Sequence, residues 1–159
     1  GRGSEFVFWL PMPAVDSALA PAPIADPAAT VQAMMSILLA EDNLINQKVA
    51  ISLLQKAGHR VQAVATGREA VQAIEHGATF DLVLMDMQMP DMDGLEATRR
   101  IRAREAAEGG RRLPIIALTA NAYAADKERC LAAGMDDFLS KPLHRNDLLA
   151  AIERQRQAT

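Results

Sequence analysis

The stretch Leu82-Val83-Leu84-Met85-Asp86-Met87-Gln88-Met89-Pro90 decides how the chain folds. Its opening aliphatic run has no polar alternation, which marks a strand buried on both faces, as in parallel sheets. The run ends in a carboxylate, and Pro90 forbids further strand because it has no amide proton to give. In open α/β sheets the groups that meet ligands lie beyond the carboxyl ends of the strands, so Asp86 stands where chemistry is expected. A single strand-end Asp is also an ordinary turn residue. The other strand ends have to decide between the two.

The 159 residues suit one domain with an appendage. Half are hydrophobic while only 4% are aromatic, so the core has to be built from Ala, Val, Ile, Leu and Met. A net charge of -3 argues against a dedicated nucleic-acid binder. The arginines Arg99, Arg100, Arg102, Arg104, Arg111 and Arg112 accordingly read as a solvated face. The single cysteine, Cys130, excludes an internal disulfide and reads as a structural helix residue, in keeping with a reducing, cytoplasmic setting. No apolar run has the length of a membrane span.

Residues 12–34 are rich in Ala and Pro, as in Ala20-Pro21-Ala22-Pro23, and read as a semi-stiff linker. From 35 to 157 the rhythm is strand, helix, strand, helix. Strands are expected at Ile37–Ala40, Arg60–Val64, Leu82 onward, Leu113–Thr119 and Asp137–Ser140. Helices are expected at Leu44–Ala57, Gly67–Glu75, Leu95–Arg104, Ala122–Ala133 and Arg145–Arg156, with Gly109-Gly110 in a mobile loop. In the first helix Ile45, Val49 and Leu53 recur every four residues on one face. His59, His76 and His144 show no ligand spacing and read as solvent-facing, and Met85, Met87, Met89 and Met92 as core filler and surface. The pattern implies an α/β fold, a doubly wound five-stranded parallel sheet of flavodoxin-like order 2-1-3-4-5 with helices on both faces. No separate output domain is expected within these residues.

In that order the first, third, fourth and fifth strands lie side by side. Their ends bring together Glu41-Asp42, Asp86, Thr119 and Lys141. Clustered carboxylates repel unless something positive sits among them, and oxygen donors with room for water suit Mg²⁺ or Mn²⁺. With a lysine to share an incoming negative charge, such a site suits phosphoryl transfer, and Asp86 becomes a candidate nucleophile.

Four segments in this order resemble receiver domains of two-component signalling. They are Ile37-Leu38-Leu39-Ala40-Glu41-Asp42-Asn43; Leu84 to Pro90 with Asp93-Gly94; Pro114 to Ala120; and Phe138-Leu139-Ser140-Lys141-Pro142. Asn43 to Ala50 and Leu118-Thr119-Ala120-Asn121-Ala122 resemble the receivers of hybrid sensor histidine kinases in particular. Residues 1–11, with Gly1-x-Gly3-Ser4 and alternating Phe6, Phe8 and Leu10, resemble the end of a histidine-kinase ATP-binding domain; a vector-derived origin is the alternative.

The resemblance implies that Asp86 accepts a phosphoryl group from a phosphohistidine. It implies that Glu41, Asp42, Asp86 and the backbone carbonyl of Gln88 hold Mg²⁺, and that Lys141, with a cis bond to Pro142, meets the phosphoryl oxygens. Thr119 and Phe138 would form a conformational switch, with Phe138 lacking the hydroxyl of the tyrosine many relatives carry there. The implied partners are the phosphohistidine domain of a parent kinase and a histidine-phosphotransfer protein, at the cytoplasmic side of the inner membrane if that parent is anchored. The fourth helix, fifth strand and fifth helix form a face such domains often use for dimers.

Rival readings fit less well. A phosphatase or mutase with a strand-end Asp needs a second Asp two residues on as general acid, and Gln88 cannot serve. A flavodoxin-type first loop would cradle phosphate, which Glu41-Asp42 would repel. A receiver that works without phosphorylation usually lacks one of the acidic pair, the Asp or the Lys, and all are present.

Overall fold

The computed structural model describes residues 34–120 and 124–158. The expected kinase-like segment 1–11 and all of the linker but Met34 lie outside them. The elements run β1 (Ser36–Ala40), α1 (Leu44–Lys56), β2 (Arg60–Val64), α2 (Gly67–Glu75), β3 (Leu82–Asp86), α3 (Gly94–Glu108), β4 (Ile115–Thr119), α4 (Ala124–Ala133), β5 (Asp137–Ser140) and α5 (Arg145–Gln157). The five strands pair in parallel in the order β2-β1-β3-β4-β5. This is the doubly wound fold expected.

Strand composition sets strand position. Every residue of β3 and β4 is buried, whereas the edge strand β2 exposes Arg60 and Gln62. Alternate residues point to opposite faces of a pleated sheet. Leu38, Ala40, Val83, Met85, Ile115 and Ala117 therefore share one core with Ala70, Val71, Leu95, Ala97, Ile101, Cys130 and Ala133. Ile37, Leu39, Leu82, Leu84, Ile116 and Leu118 share the other with Ala50, Leu54, Leu148, Ala151 and Ile152. Helices α2, α3 and α4 cover the first face, and α1 and α5 the second. Met85, Met87 and Met92 are core residues.

Four expectations need correction. In α1 the buried residues are Ala50 and Leu54, and Leu53 packs half-buried against the same core as expected; Ile45 is 73% and Val49 45% exposed. The cap sets this phase: Asn43 Oδ1 accepts from the amides of Ile45 and Asn46, which turns Asn46 and Gln47 toward Glu41 and Ile45 away from the sheet. Helix α3 runs to Glu108 because Arg104 pairs with Glu108 and the left-handed Gly109 (φ 65°) supplies the stop.

Arg102 is not part of a solvated face. Its guanidinium bonds Glu105, Asp136 and the carbonyls of Leu113 and Gly134, and Arg112 adds a second bridge to Asp136. Gly134 fits this clamp because a side chain there would strike Arg102. His59 is buried rather than solvent-facing, since Gly58 (φ 87°) folds it back so that its Nδ1 lies 3.4 Å from the amide of Met35. His76 and His144 are exposed, as expected.

Candidate functional site at the carboxyl edge of the sheet

Parallel pairing delivers all five carboxyl ends to one edge. The register aligns Ala40 with Met85, Asp86 with Leu118 and Thr119 with Ser140, so the residues just beyond converge. They form an open cleft of about 740 Å³ lined by, among others, Glu41, Asp42, Asp86, Gln88, Thr119 and Lys141. Asn121 and Ala122 lie outside the described residues.

Asp86 lies at the base of the cleft, 4% exposed. One of its oxygens accepts from Lys141 Nζ at 2.6 Å and the other from the amide of Gln88 at 3.1 Å. Lys141 also reaches Glu41 Oε2 at 2.6 Å, so one ammonium serves two buried acids. Glu41 is held in turn by Asn46 Nδ2 at 2.9 Å. Asp42 is exposed, yet an oxygen of each of Glu41, Asp42 and Asp86 lies within 4.8 Å of the others. The peptide bond Lys141–Pro142 is cis.

The electrostatics follow from this sharing. Burial pushes the Asp86 carboxyl up, against the lowering effect of the Lys141 and Gln88 hydrogen bonds, and the charge of Glu41 pushes it further. Burial alone would lower Lys141; its bonds to Asp86 and Glu41 outweigh that and raise it. The ammonium is compensated twice, while Asp86 has only a share of it. The cleft thus holds excess negative charge of the kind that hard cations, which prefer oxygen donors, relieve.

Helix α3 packs against the back of Asp86. A side chain on Gly94 would overlap the Asp86 carbonyl and crowd Met85, so only glycine lets the helix start there. Asp93 caps it by accepting from the amide of Glu96 at 2.7 Å. Thr119 is buried, and Phe138 is half-buried with Lys127 Nζ 5.2 Å from its ring centroid.

The candidates Glu41, Asp42, Asp86, Gln88, Thr119 and Lys141 therefore share one cleft, and Phe138 lies outside its lining. Asn46, within the hybrid-kinase-like segment Asn43 to Ala50, was not among the expected site residues; its place three residues after the cap Asn43 aims it back at the strand end, where it bonds Glu41.

Residues 37–153 match the family described as the response regulator receiver domain. The chain belongs to this family. The receiver is 44% identical over 123 residues to hybrid signal transduction histidine kinase H of Dictyostelium discoideum, covering 76% of this chain and 9% of that protein. It is 47% identical over 116 residues to the sensor protein GacS of Pseudomonas syringae pv. syringae, covering 73% and 13%. The chain thus spans a small part of the length of these curated relatives.

Among solved structures it resembles the receiver domain of sensor histidine kinase PA1611 from Pseudomonas aeruginosa PAO1, which has a magnesium ion coordinated in the active-site cleft. That match has 47% identity and a TM-score of 0.69 over 77% of this chain and 98% of that one. It also resembles the structure of the Saccharomyces cerevisiae histidine phosphotransfer protein Ypd1 with the receiver domain of its downstream response regulator Ssk1. There the identity is 32% and the TM-score 0.73, over 77% and 88%.

Proposed function

We propose that this receiver accepts a phosphoryl group on Asp86 from a phosphohistidine, as the phosphorelay module of a hybrid sensor histidine kinase. The observation that carries the reading is the position of Asp86: buried at the cleft base, bonded to Lys141 and within reach of two more carboxylates. A carboxylate oxygen of Asp86 forms the new O–P bond as the P–N bond breaks. The donor's second ring nitrogen carries a proton before transfer, so the imidazole leaves neutral.

Glu41, Asp42, Asp86 and the carbonyl of Gln88 are the proposed Mg²⁺ ligands, and the all-oxygen set suits that ion. When bound, Mg²⁺ neutralises phosphoryl charge. Lys141, already at the Asp86 carboxylate, is placed to pair with a phosphoryl oxygen, and Gln88 N–H orients the nucleophile. Thr119 and Phe138 sit on adjacent strands, and their rearrangement after phosphorylation is the proposed switch. In this reading the domain catalyses its own phosphorylation and dephosphorylation.

The donor and acceptor side chains have to reach the cleft from a partner. Leu44, Ile45 and Val49 stand 67%, 73% and 45% exposed on α1, on the helix that supplies Asn46 to the cleft. This apolar face is the proposed dock for the kinase's phosphohistidine domain and a histidine-phosphotransfer protein. The proposed setting is cytoplasmic; among the described residues no helix is long and apolar enough to cross a membrane. Segment 1–11 is proposed to be the end of the parent's ATP-binding domain and 12–34 the linker.

Mass spectrometry after incubation with acetyl phosphate and Mg²⁺ tests the reading. A gain of one phosphoryl group, abolished in Asp86→Asn, is expected; no gain in the wild type overturns it.

A further inference from the structure

The loop between β3 and α3 forms one wall of the cleft through Met87, Gln88 and Met89, yet part of what fixes it lies outside the cleft. At its tip Asp91 has a left-handed backbone, φ 68°, a conformation that costs energy in a residue other than glycine. Its carboxylate receives a two-pronged bond from Arg68 on the first turn of α2, Nε to Oδ2 at 2.6 Å and Nη2 to Oδ1 at 3.3 Å. Beside it the amide of Gly67 donates to the carbonyl of Met92 at 3.2 Å, and a side chain on Gly67 would strike that carbonyl. The loop tip is therefore tied to α2 by a side-chain fork and a backbone bond in adjacent residues.

We propose that Arg68 is a positioning residue for the phosphoacceptor site, holding the loop through Asp91 so that the Gln88 amide stays aimed at Asp86. The connection is short. Gln88 lies three residues before Asp91 with the stiff Pro90 between them, and Gln88 N–H is the donor to the Asp86 oxygen that Lys141 does not hold. Behind the tip, the amide of Met92 bonds the Pro90 carbonyl at 2.8 Å and that of Gly94 bonds the Met87 carbonyl at 3.2 Å, so backbone bonds close the loop at its tip and at its base. A two-pronged guanidinium–carboxylate fork fixes direction as well as distance, which a lysine at position 68 could not do.

The consequence for Mg²⁺ rests on the phosphoacceptor reading of the cleft, whereas the effect on the Gln88 amide does not. The test compares wild type, Arg68→Gln, Asp91→Asn and the double variant in the full chain. Two readouts are used: the Gln88 amide proton shift without metal, and the Mg²⁺ dissociation constant by calorimetry. Each single variant is expected to shift the Gln88 amide and to weaken Mg²⁺ binding by roughly two- to fivefold, the scale of an exposed ion pair. The double variant should be no worse than the worse single one.

Asp91→Gly separates positioning from stability. It removes backbone strain together with the carboxylate, so its stability is preserved or raised while Mg²⁺ binding still weakens. Either readout unmoved in both single variants, or effects that add in the double variant, overturns the proposal. A wild type that binds Mg²⁺ but gains no phosphoryl group overturns the phosphoacceptor reading and leaves the latch to be judged on these two readouts.

Discussion

Lys141 and Asp86 meet at 2.6 Å across the cleft, and the same ammonium is 2.6 Å from Glu41. One cation between two buried carboxylates is an arrangement that removal of the cation leaves uncompensated. Lys141→Ala is expected to lose about 1–3 kcal/mol of stability in metal-free buffer, because two buried acids then face each other. Urea unfolding measures this, and Mg²⁺ should restore more stability to the variant than it adds to the wild type. The variant should also accept phosphoryl groups poorly even when saturated with Mg²⁺. Undiminished phosphorylation in Lys141→Ala would remove the role assigned to the ammonium.

Asp42 is the exposed member of the acidic trio, so water reaches its carboxylate in the folded chain as in the unfolded one. In the proposed site it nevertheless supplies a metal oxygen. Asp42→Asn should therefore fold as stably as the wild type without metal, within about 0.5 kcal/mol. With Mg²⁺ the two should separate. Ligand at a hundred times its dissociation constant stabilises the wild type by about 2.7 kcal/mol, and the variant should show little of this gain. Equal Mg²⁺-induced shifts in melting temperature would take Asp42 out of the ligand set.

Ile45 and Val49 offer a test of docking that spares the chemistry. Both are exposed on α1, so Ile45→Glu and Val49→Glu should change stability by no more than about 0.5 kcal/mol. Phosphorylation by acetyl phosphate should be unaffected. Transfer from a phosphohistidine protein should fall roughly tenfold or more, the effect expected when a charge is forced into an apolar contact. Parallel losses with both donors would place the defect in the cleft instead of the dock.

These residues also show what the amino-acid order can and cannot reveal. Strands β3 and β4 were legible because burial on both faces demands an unbroken aliphatic run, and β2 because an edge strand tolerates Arg60 and Gln62. The cleft was legible because parallel pairing must carry Glu41, Asp86, Thr119 and Lys141 to one edge. The inward face of α1 was not, since 45/49/53 and 50/54 both satisfy four-residue spacing and only the Asn43 cap chooses between them. Arg102 looked solvated because its partner Asp136 lies 34 residues away and Gly134 nearly as far. The burial of His59 likewise depends on Met35, 24 residues before it.

That buried histidine carries the last prediction. Burial lowers the His59 pKa in the folded state, and among the described residues its Nε2 has no hydrogen-bond partner. An unfolded chain protonates the same ring near its ordinary value of about 6.5. Below that pH the unfolded state binds the proton first, so stability must fall as pH drops from about 6.5 toward the lower folded value. The contribution of neutral His59 is fully present above this window and lost once pH passes below the folded pKa. His59→Asn retains an acceptor for the Met35 amide but does not titrate, and it leaves the exposed His76 and His144 in place. Urea unfolding from about pH 7.5 to about pH 5 should thus show a steeper loss of stability in the wild type than in the variant. Curves that run parallel through that window would mean that His59 titrates alike in both states, contrary to its burial just before β2.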